Sequence, residues 1–467
     1  MAAEQHSSIS ETLAAYASSL TLAKVPTVVV ERAKLHILDA LGVALAASTF
    51  DFATITLAAL RHLGDTGGVP VIGFPVRLPV RDAALLNGTL IHGLDFDDTH
   101  MASIVHPSAS AVATVLSAGT RHRVSGHELL LAYLAAVEID ARLGAAVTGD
   151  FHRVGLHPTG LLGAFGCAIA AGRLAGLTAR QLTNAQGIVL SMAGGSLEFL
   201  EEGAWTKRVH PGWAAVCGIT AAALAAEGFI GPRLAYEGRF GLYRMHLGNN
   251  VEVDWNACTK RLGSQWEMLG VSLKPYPSCH FTHAFIDAAL GIVRQYELAP
   301  NAIRSIKARI ADGEVSTVCE PEANKRRPRN AYEAQFSVHY AIATSLIRKR
   351  FTLAELTSDC LTDPQILALC ERIHYEIDPH APFPLRYTGH ILLTTHDGRL
   401  LSQHQAGASA HQATALSKDQ VLTKFRQNAG LALGPGQVQR VLDQVMVLEE
   451  LPDASLLAES LCPDQPR

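Results

Sequence analysis

Long basic runs are missing from this sequence, and charged residues of either sign are scarce. The 467 residues include 39 lysines and arginines and 43 aspartates and glutamates, so the formal net charge is -4 and only 18% of residues are charged. Proteins that bind nucleic acid through its phosphates need a basic surface. We therefore expect no nucleic-acid partner, and we interpret the densest basic cluster, KRRPR at 325–329, as a solvated turn.

Paired cysteines and an export signal are also missing. The eight cysteines form no C-x-x-C pair, and several lie in apolar segments, which is typical of a reducing compartment. The first residues, MAAEQHSSIS, lack the basic and then apolar pattern of a signal peptide. We therefore expect a cytoplasmic location, with an organelle matrix as the alternative.

No segment has the uninterrupted apolar length of a membrane span. The most apolar helices begin at HPTGLLGAFGCAIAAG and HPGWAAVCGITAAALAA, and each is shorter than the roughly 20 apolar residues that a bilayer requires. Aromatic residues make up only 6%, while glycine and alanine are frequent. We predict closely packed core helices and no membrane partner.

What is present is mainly helical. Residues 1 to about 265 contain successive helical patterns, such as SISETLAAYASSL with Ser10 as its predicted N-cap. From about 270 to 403 the pattern becomes α+β: IRSIKARIADG and HYEIDP predict strands, HILLTTHDGRLLSQHQ predicts a hairpin, and YEAQFSVHYAIATSLIRKR predicts a helix. The chain then returns to helix. The sequence therefore predicts a helical domain of residues 1–269 and 404–467, with an inserted α+β domain of residues 270–403.

A histidine-proline pair precedes an alanine- and glycine-rich helix at three places: His106-Pro107, His157-Pro158 and His210-Pro211. Proline is favoured at the first position of a helix, and a helix N-terminus attracts anions. Three such ends could surround a ligand with several carboxylates. The alternative is that proline only starts each helix and histidine only caps it.

The segment DFDDTH, residues 95–100, is the densest group of polar residues. Aspartates at alternate positions could bind a hard cation, but an EF-hand glycine and its closing glutamate are absent, as is H-E-x-x-H. The aspartates could instead cap helices or turns. Because Asp95, Asp97 and Asp98 would repel one another, we expect at least one to pair with Lys207, Arg208 or a histidine.

Two further groups of polar residues flank apolar helices. Lys207 and Arg208, just before the third His-Pro, could clamp a carboxylate. Lys274, Cys279 and His280 lie in LKPYPSCHFTH, where the helical and α+β regions join. A Cys/His nucleophilic pair would need a third member and an oxyanion hole, and no pattern in the sequence supplies them.

Seven segments follow one another in an order and spacing that resemble the MmgE/PrpD family: NGTLIHGLDFDDTH, HPSAS, HPTG, TKRVHPGWAAVCG, GFIGP, LKPYPSCHFTH and EAQFSVHYAIA. That family includes 2-methylcitrate dehydratases, cis-aconitate decarboxylases and iminodisuccinate epimerases. The resemblance implies a mainly α fold with a smaller α+β lid, a homodimer, and catalysis without metal or organic cofactor.

The resemblance also implies roles for single residues. It implies that Asp95, Thr99, His106, His157, Lys207 and Lys274 are active-site residues. With the clamp and junction residues added, we expect catalysis from His106, Asp95 and His157, and substrate binding by Thr99, Lys207, Arg208, Lys274, Cys279 and His280. Two features depart from the decarboxylase pattern: Cys279 stands where those proteins carry histidine, and the spacing from Thr99 to His106 is one residue longer. The dehydratases differ more strongly around DFDDTH.

The expected function is a cofactor-independent lyase that moves a proton next to a carboxylate of a di- or tricarboxylate. We place dehydration ahead of decarboxylation at this point. The alternatives are an epimerase of an iminodisuccinate-like acid and a protein that binds polycarboxylates without catalysis.

Overall fold

A computed structural model describes residues 7–64, 66–409 and 416–464. The protein is mainly α, as predicted, with 59% of its residues in helices. It divides into two units: unit 1 comprises Met1–Leu197, Thr206–Leu273 and Leu416–Arg467, and unit 2 comprises Glu198–Trp205 and Lys274–Ala415. The short segment Glu198–Trp205, which the sequence placed in the helical domain, therefore belongs to unit 2.

Unit 1 is built almost entirely from helices contributed by both ends of the chain. Its helices are α1 (Ile9–Ser19), α2 (Thr27–Ala47), α3 (Asp51–Leu63), α4 (Val80–His92), α5 (Pro107–His122), α6 (Gly126–Ala145), α7 (Asp150–Arg153), α8 (Pro158–Leu174), α9 (Ala179–Val189), α11 (Thr206–Ala226), α12 (Leu242–Leu247), α13 (Trp255–Thr259), α21 (Lys418–Ala429), α22 (Pro435–Met446) and α23 (Ser455–Ser460). Two short antiparallel pairs join them: β1 (Val69–Val71) with β2 (Phe74–Leu78), and β3 (Thr99–His100) with β4 (Val271–Ser272).

Local sequence determines where several of these helices begin. Helix α1 is capped by Ser8, whose hydroxyl accepts from the Glu11 N–H, so the prediction of Ser10 as the N-cap is wrong by two residues. His106 and His157 are the N-cap residues of α5 and α8, each followed by proline at the first helical position. These two predictions are confirmed.

The third His-Pro pair does not start a helix. Helix α11 begins at Thr206, and Pro211 lies inside it. Because proline has no N–H, it removes one hydrogen bond of the helix interior. The predicted helix start at His210 is therefore wrong, and Lys207 and Arg208 lie within the first turn of α11 instead of before the helix.

Helix α11 packs against both α4 and α8 in unit 1. The crossing of α4 and α11 is close because both helices present glycine: a Cβ on Gly88 would lie 2.5 Å from the Gly212 Cα, and a Cβ on Gly212 would lie 2.1 Å from the Leu85 carbonyl oxygen. Real Cβ atoms do not approach so closely. The glycines therefore hold the C-terminal end of α4 beside the first turns of α11.

Helix α11 is longer than its apolar sequence suggested. Among the described residues, it is the one helix that is long and apolar enough to cross a membrane, and the bent pair α2–α3 passes the same test if taken as one span. Half of the apolar stretch of α11 is buried within the protein. Core helices of globular proteins have these same properties.

Unit 2 contains a four-stranded sheet of β5 (Ile303–Ile310), β6 (Ile373–Ile377), β7 (Arg386–Thr395) and β8 (Leu400–Ser409), in the order β6-β5-β7-β8. Strand β6 is parallel to β5, and the other pairs are antiparallel. Its helices are α10 (Phe199–Glu202), α14 (His283–Gln295), α15 (Asp312–Val318), α16 (Glu322–Arg326), α17 (Ala331–Gln335), α18 (Val338–Arg348), α19 (Ser358–Leu361) and α20 (Pro364–Cys370).

The predicted strands and hairpin of unit 2 are confirmed, and one predicted helix is corrected. The segment YEAQFSVHYAIATSLIRKR forms two helices, α17 and α18, because Ser337 caps a new helix by accepting from the Tyr340 N–H. Helix α14 packs on β7, β8 and α18.

Candidate active site

The three aspartates of DFDDTH do not share one site, since each has a separate partner from a different helix of unit 1. Asp95 forms a buried ion pair with Lys207 of α11. Asp97 accepts a hydrogen bond from His92 Nδ1 of α4 at 2.7 Å, and Asp98 accepts from His36 Nδ1 of α2 at 2.7 Å. The expectation that at least one aspartate would have a cation or histidine as partner is thus confirmed.

This pairing fixes the loop between α4 and α5. The Ser108 hydroxyl at the start of α5 donates to Asp98, and Lys424 of α21 donates to the Phe96 carbonyl at 2.8 Å. Asp95 itself has a φ of 49°, in the left-handed region that aspartate and asparagine adopt more readily than most residues. The loop geometry is therefore held by partners that are remote in sequence.

His106 has a defined tautomer. Its Nδ1 lies 2.6 Å from the Asp98 carbonyl oxygen, which can only accept, so Nδ1 carries a proton. The Thr99 hydroxyl lies 3.1 Å from the same nitrogen. Nε2 is consequently the nitrogen at which this ring can gain or lose a proton.

The starts of α5 and α8 are joined directly. The His106 backbone N–H donates to the Thr159 hydroxyl at 3.0 Å, and the rings of His106 and His157 lie 6.0 Å apart, centroid to centroid. Two helix N-termini, each preceded by a histidine, therefore lie side by side. Both ends favour negative charge nearby.

Two histidines that sequence reasoning did not select complete a cluster. The ring of His92 lies 4.9 Å from that of His106 and 5.5 Å from that of His157, and the Nδ1 atoms of His157 and His210 are 3.0 Å apart. His92 belongs to the segment NGTLIHGLDFDDTH, and the sequence predicted His210 only as the start of a helix. We define the histidine cluster as His92, His106, His157 and His210.

Burial and nearby positive charge control protonation within the cluster. Burial lowers the pKa of His157 well below its usual value, and His210 and Lys207 lower it further. Burial and Lys207 also lower the pKa of His210, to about 4. Both rings are therefore neutral near pH 7.

Lys207 and Arg208 reach this region from the first turn of α11. A helix N-terminus disfavours a cation, and the Asp95 carboxylate compensates Lys207 there. Arg208 Nε donates to the Gly93 carbonyl at 2.9 Å, and its guanidinium lies 4.3 Å from the ring centroid of Phe52. Arg208 thus contacts the turn that follows α4, and its role as a substrate ligand stays a prediction.

His92, His106 and His157 each offer one donor atom, and these atoms lie within 4.8 Å of one another. Three imidazoles are a donor set that a transition metal accepts. The sequence pattern did not indicate this set, because its three histidines are far apart in the chain and match no metal-binding motif. His100 lies elsewhere, with its Nδ1 2.8 Å from Ser103 Oγ and its Nε2 3.3 Å from Glu267. The expectation that no metal takes part stays a prediction.

The remaining predicted residues lie in unit 2. Lys274 is fully buried, and Cys279 and His280 are buried. The Cys279 N–H donates to the Gln335 carbonyl at 2.8 Å, and the ring of His280 lies 4.6 Å from that of His283, which donates from Nε2 to the Ser278 carbonyl. Their roles in substrate binding stay predictions.

A buried histidine cluster, a lysine and two helix N-termini in a helical unit are typical of an enzyme that performs acid/base chemistry on an anionic substrate. Comparison with known proteins gives a more specific result. Residues 11–254 match the MmgE/PrpD N-terminal domain, and residues 276–450 match the MmgE/PrpD C-terminal domain. The chain therefore belongs to the MmgE/PrpD family.

Named relatives fall into two groups. The cis-aconitate decarboxylase of Homo sapiens is 29% identical, covering 97% of this chain and 94% of its own length, and that of Aspergillus terreus is 27% identical, covering 96% and 95%. The 2-methylcitrate dehydratase of Escherichia coli is 25% identical, covering 80% of each chain. The family resemblance and the prediction of a MmgE/PrpD-type lyase are both confirmed.

Proposed function

We propose that this protein is a cofactor-independent lyase that acts on a di- or tricarboxylate by proton transfer next to a carboxylate. Decarboxylation of a cis-aconitate-like acid is the favoured reaction, because the named decarboxylases match nearly the whole chain while the Escherichia coli dehydratase matches 80%. This reverses the order that the sequence alone favoured. Dehydration of a 2-methylcitrate-like acid is the second candidate.

The observation that supports acid/base catalysis best is the environment of His106. Its Nδ1–H donates to the Asp98 carbonyl, so Nε2 is the exchanging atom, and it stands at the N-terminus of α5. In a decarboxylation, the bond to the departing carboxylate breaks and its electron pair stays on carbon. A proton must then reach that carbon. We assign this proton to Nε2 of His106.

Lys207 and the N-terminus of α8 are suited to hold the substrate's carboxylates, whereas the Ser108 N–H at the start of α5 already donates to Asp98. An ammonium group and free helix N–H groups interact favourably with carboxylates, and Asp95 keeps Lys207 in place. In this proposal His157 assists proton transfer and Thr99 orients His106. The expected roles of Arg208, Lys274, Cys279 and His280 in substrate binding, and of residues 270–403 as a lid, belong to the same proposal.

The test is a panel of citrate, methylcitrate, cis-aconitate and iminodisuccinate, followed by NMR in chelator-treated buffer and in deuterium oxide. We expect carbon dioxide release from a cis-aconitate-like acid, with deuterium on the product carbon. Released water would indicate dehydration, and inverted stereochemistry at unchanged mass would indicate epimerisation. Activity that disappears with chelation and returns with one metal would contradict the proposed chemistry.

His106→Asn assigns the proton carrier. Asparagine can still donate to the Asp98 carbonyl but cannot transfer a proton, so we expect kcat to fall at least roughly 10²-fold with little change in melting temperature. His100→Asn is the matched control, because it makes the same change in the same loop outside the histidine cluster. Near wild-type kcat in His106→Asn would move the role to His157.

We also propose a homodimer. Exposed large apolar side chains of unit 1 are concentrated between residues 209 and 245, with Trp213 48%, Phe229 58%, Ile230 78% and Phe240 72% exposed. Contiguous exposed apolar patches mark interaction surfaces, and we propose that these side chains form one. Sedimentation equilibrium should give twice the chain mass, and a monomer at micromolar concentration would contradict the proposal.

A further inference from the structure

We propose that the histidine cluster is a proton relay, in which His92, fixed by Asp97, passes protons between His157 and His106. This inference rests on the proposed function. A decarboxylation consumes one proton from solvent in each turnover, because the departing carboxylate is replaced by a C–H bond. A dehydration instead moves a proton between two groups of the site. Either reaction requires the buried acid/base residue to be restored after each turnover.

The relay has an outer end at His210. His210 is only partly buried, whereas His92 and His157 are 1% and 3% exposed. The Nδ1 atoms of His210 and His157 are 3.0 Å apart, so one of them donates to the other. A proton that reaches His210 from solvent can therefore pass to His157 along the hydrogen bond that joins the two rings.

The inner steps are short enough for transfer through a single water. One donor atom from each of His157, His92 and His106 lies within 4.8 Å of the other two. By ring centroids, His92 is nearer to His106 (4.9 Å) and to His157 (5.5 Å) than those two rings are to each other (6.0 Å), so His92 lies between them. A water that bonds two nitrogens holds them about 4.5–5 Å apart, given ordinary hydrogen-bond lengths. The proton leaves one ring nitrogen as the next ring nitrogen gains one, so each transfer is balanced and no other reactant is needed.

Asp97 gives His92 a fixed orientation for this task. The carboxylate is fully buried and accepts from His92 Nδ1, so the exchanging atom of His92 is Nε2. Around the cluster, Lys207 is paired with Asp95, and Asp98 is hydrogen-bonded to His36.

A second histidine–aspartate pair, between α2 and the same loop, provides a matched control. His36 and Asp98 form a second buried histidine–aspartate pair, also at 2.7 Å from Nδ1 to carboxylate, whose histidine is outside the cluster. Substitution of either histidine by alanine removes one imidazole and leaves a buried carboxylate that has lost this hydrogen-bond donor. Asp98 keeps its hydrogen bonds from Ser108 in His36→Ala, so a purely structural role of His92 allows the two variants to differ in stability but predicts no selective loss of kcat and no selective rescue in His92→Ala.

The experiment compares His92→Ala with His36→Ala in kinetics and chemical rescue. We expect His92→Ala to lower kcat about 10²-fold with a KM within about threefold of wild type, and added imidazole to restore much of the loss. Imidazole should leave wild type and His36→Ala unchanged. A kcat of His92→Ala equal to that of His36→Ala, or equal rescue of both, would overturn the relay.

A spectroscopic measurement keeps the inference testable if neither alanine variant folds, or if no acid in the panel reacts. In ¹⁵N-histidine-labelled wild type, His92 and His106 should both show protonated Nδ1, and Asp97→Asn should change the signal of His92. If these signals appear without lyase activity, the proposed function fails while the ring geometry stands. A His92 ring with protonated Nε2 and bare Nδ1 would overturn the relay whatever the activity.

Discussion

The ion pair between Asp95 and Lys207 allows the structural and catalytic contributions of one lysine to be separated. The side chains of Lys207 and Asp95 are 6% and 1% exposed, so a single substitution leaves an uncompensated charge in the protein interior. Lys207→Met should therefore destabilise unit 1 by about 3–5 kcal/mol, the usual consequence of breaking a buried pair from one side. The variant alone would confuse lost folding with lost substrate binding.

The double variant Lys207→Met/Asp95→Asn removes both charges. Replacing both members of a buried pair by neutral groups is often close to neutral in stability, and asparagine tolerates the φ of 49° at position 95. We expect the double variant to regain most of the urea midpoint that Lys207→Met loses. Substrate binding should not recover, because a charge-assisted contact worth about 1.5–3 kcal/mol is gone.

The assay combines urea unfolding with steady-state kinetics for wild type, both single variants and the double variant. The expected result is a double variant of near wild-type stability whose KM is raised by roughly tenfold or more. If the double variant keeps the wild-type kcat/KM, Lys207 is not part of the site. If Lys207→Met is as stable as wild type, the pair is not buried as described.

Two further predictions concern packing and acid sensitivity. Gly88→Ala should destabilise unit 1 by about 1–3 kcal/mol, because its Cβ would overlap the Gly212 backbone. The control Gly436→Ala, where a Cβ meets nothing within 4 Å, should not lower the melting temperature. Equal melting temperatures of the two variants would contradict the close crossing of α4 and α11. Because the pKa of His210 is lowered to about 4, its stabilising effect is fully present above pH 6.5 and is lost as the pH falls towards 4. Relative to His210→Asn, wild type should lose up to about 1.4 kcal/mol per pH unit across this window, and parallel stability curves would refute this.

The sequence predicted those parts of the fold that depend on neighbouring residues. The His-Pro starts of α5 and α8 were predictable because proline and its preceding residue set the local backbone. The hairpin around Asp397-Gly398 was predictable for the same reason. The start of α11 was not predictable from neighbouring residues. Its first turn contains two cations, which a helix N-terminus disfavours, and Asp95, which is remote in sequence, compensates one of them.

Four of the predicted site residues are brought together by the fold, but their pairing was not predictable, and their catalytic roles stay predictions. Asp95, His106, His157 and Lys207 do come together in unit 1. His92 was missed because its contact with Asp97 depends on the turn after α4, which no periodic pattern describes. A signal was nevertheless present: a histidine ends the helix that immediately precedes three aspartates.

These pairings explain how three aspartates can stand in a site proposed for polyanions. Unpaired carboxylates would repel such a substrate, and their burial would be costly. Instead, each aspartate orients a group that the chemistry or the loop requires: Asp95 holds Lys207, Asp97 holds His92, and Asp98 anchors the loop through His36 while its carbonyl sets the tautomer of His106. Each carboxylate thus has an ion-pair or hydrogen-bond partner inside the protein. In our proposal, Lys207, the N-terminus of α8 and the exchanging nitrogens of the histidines are left to meet the substrate.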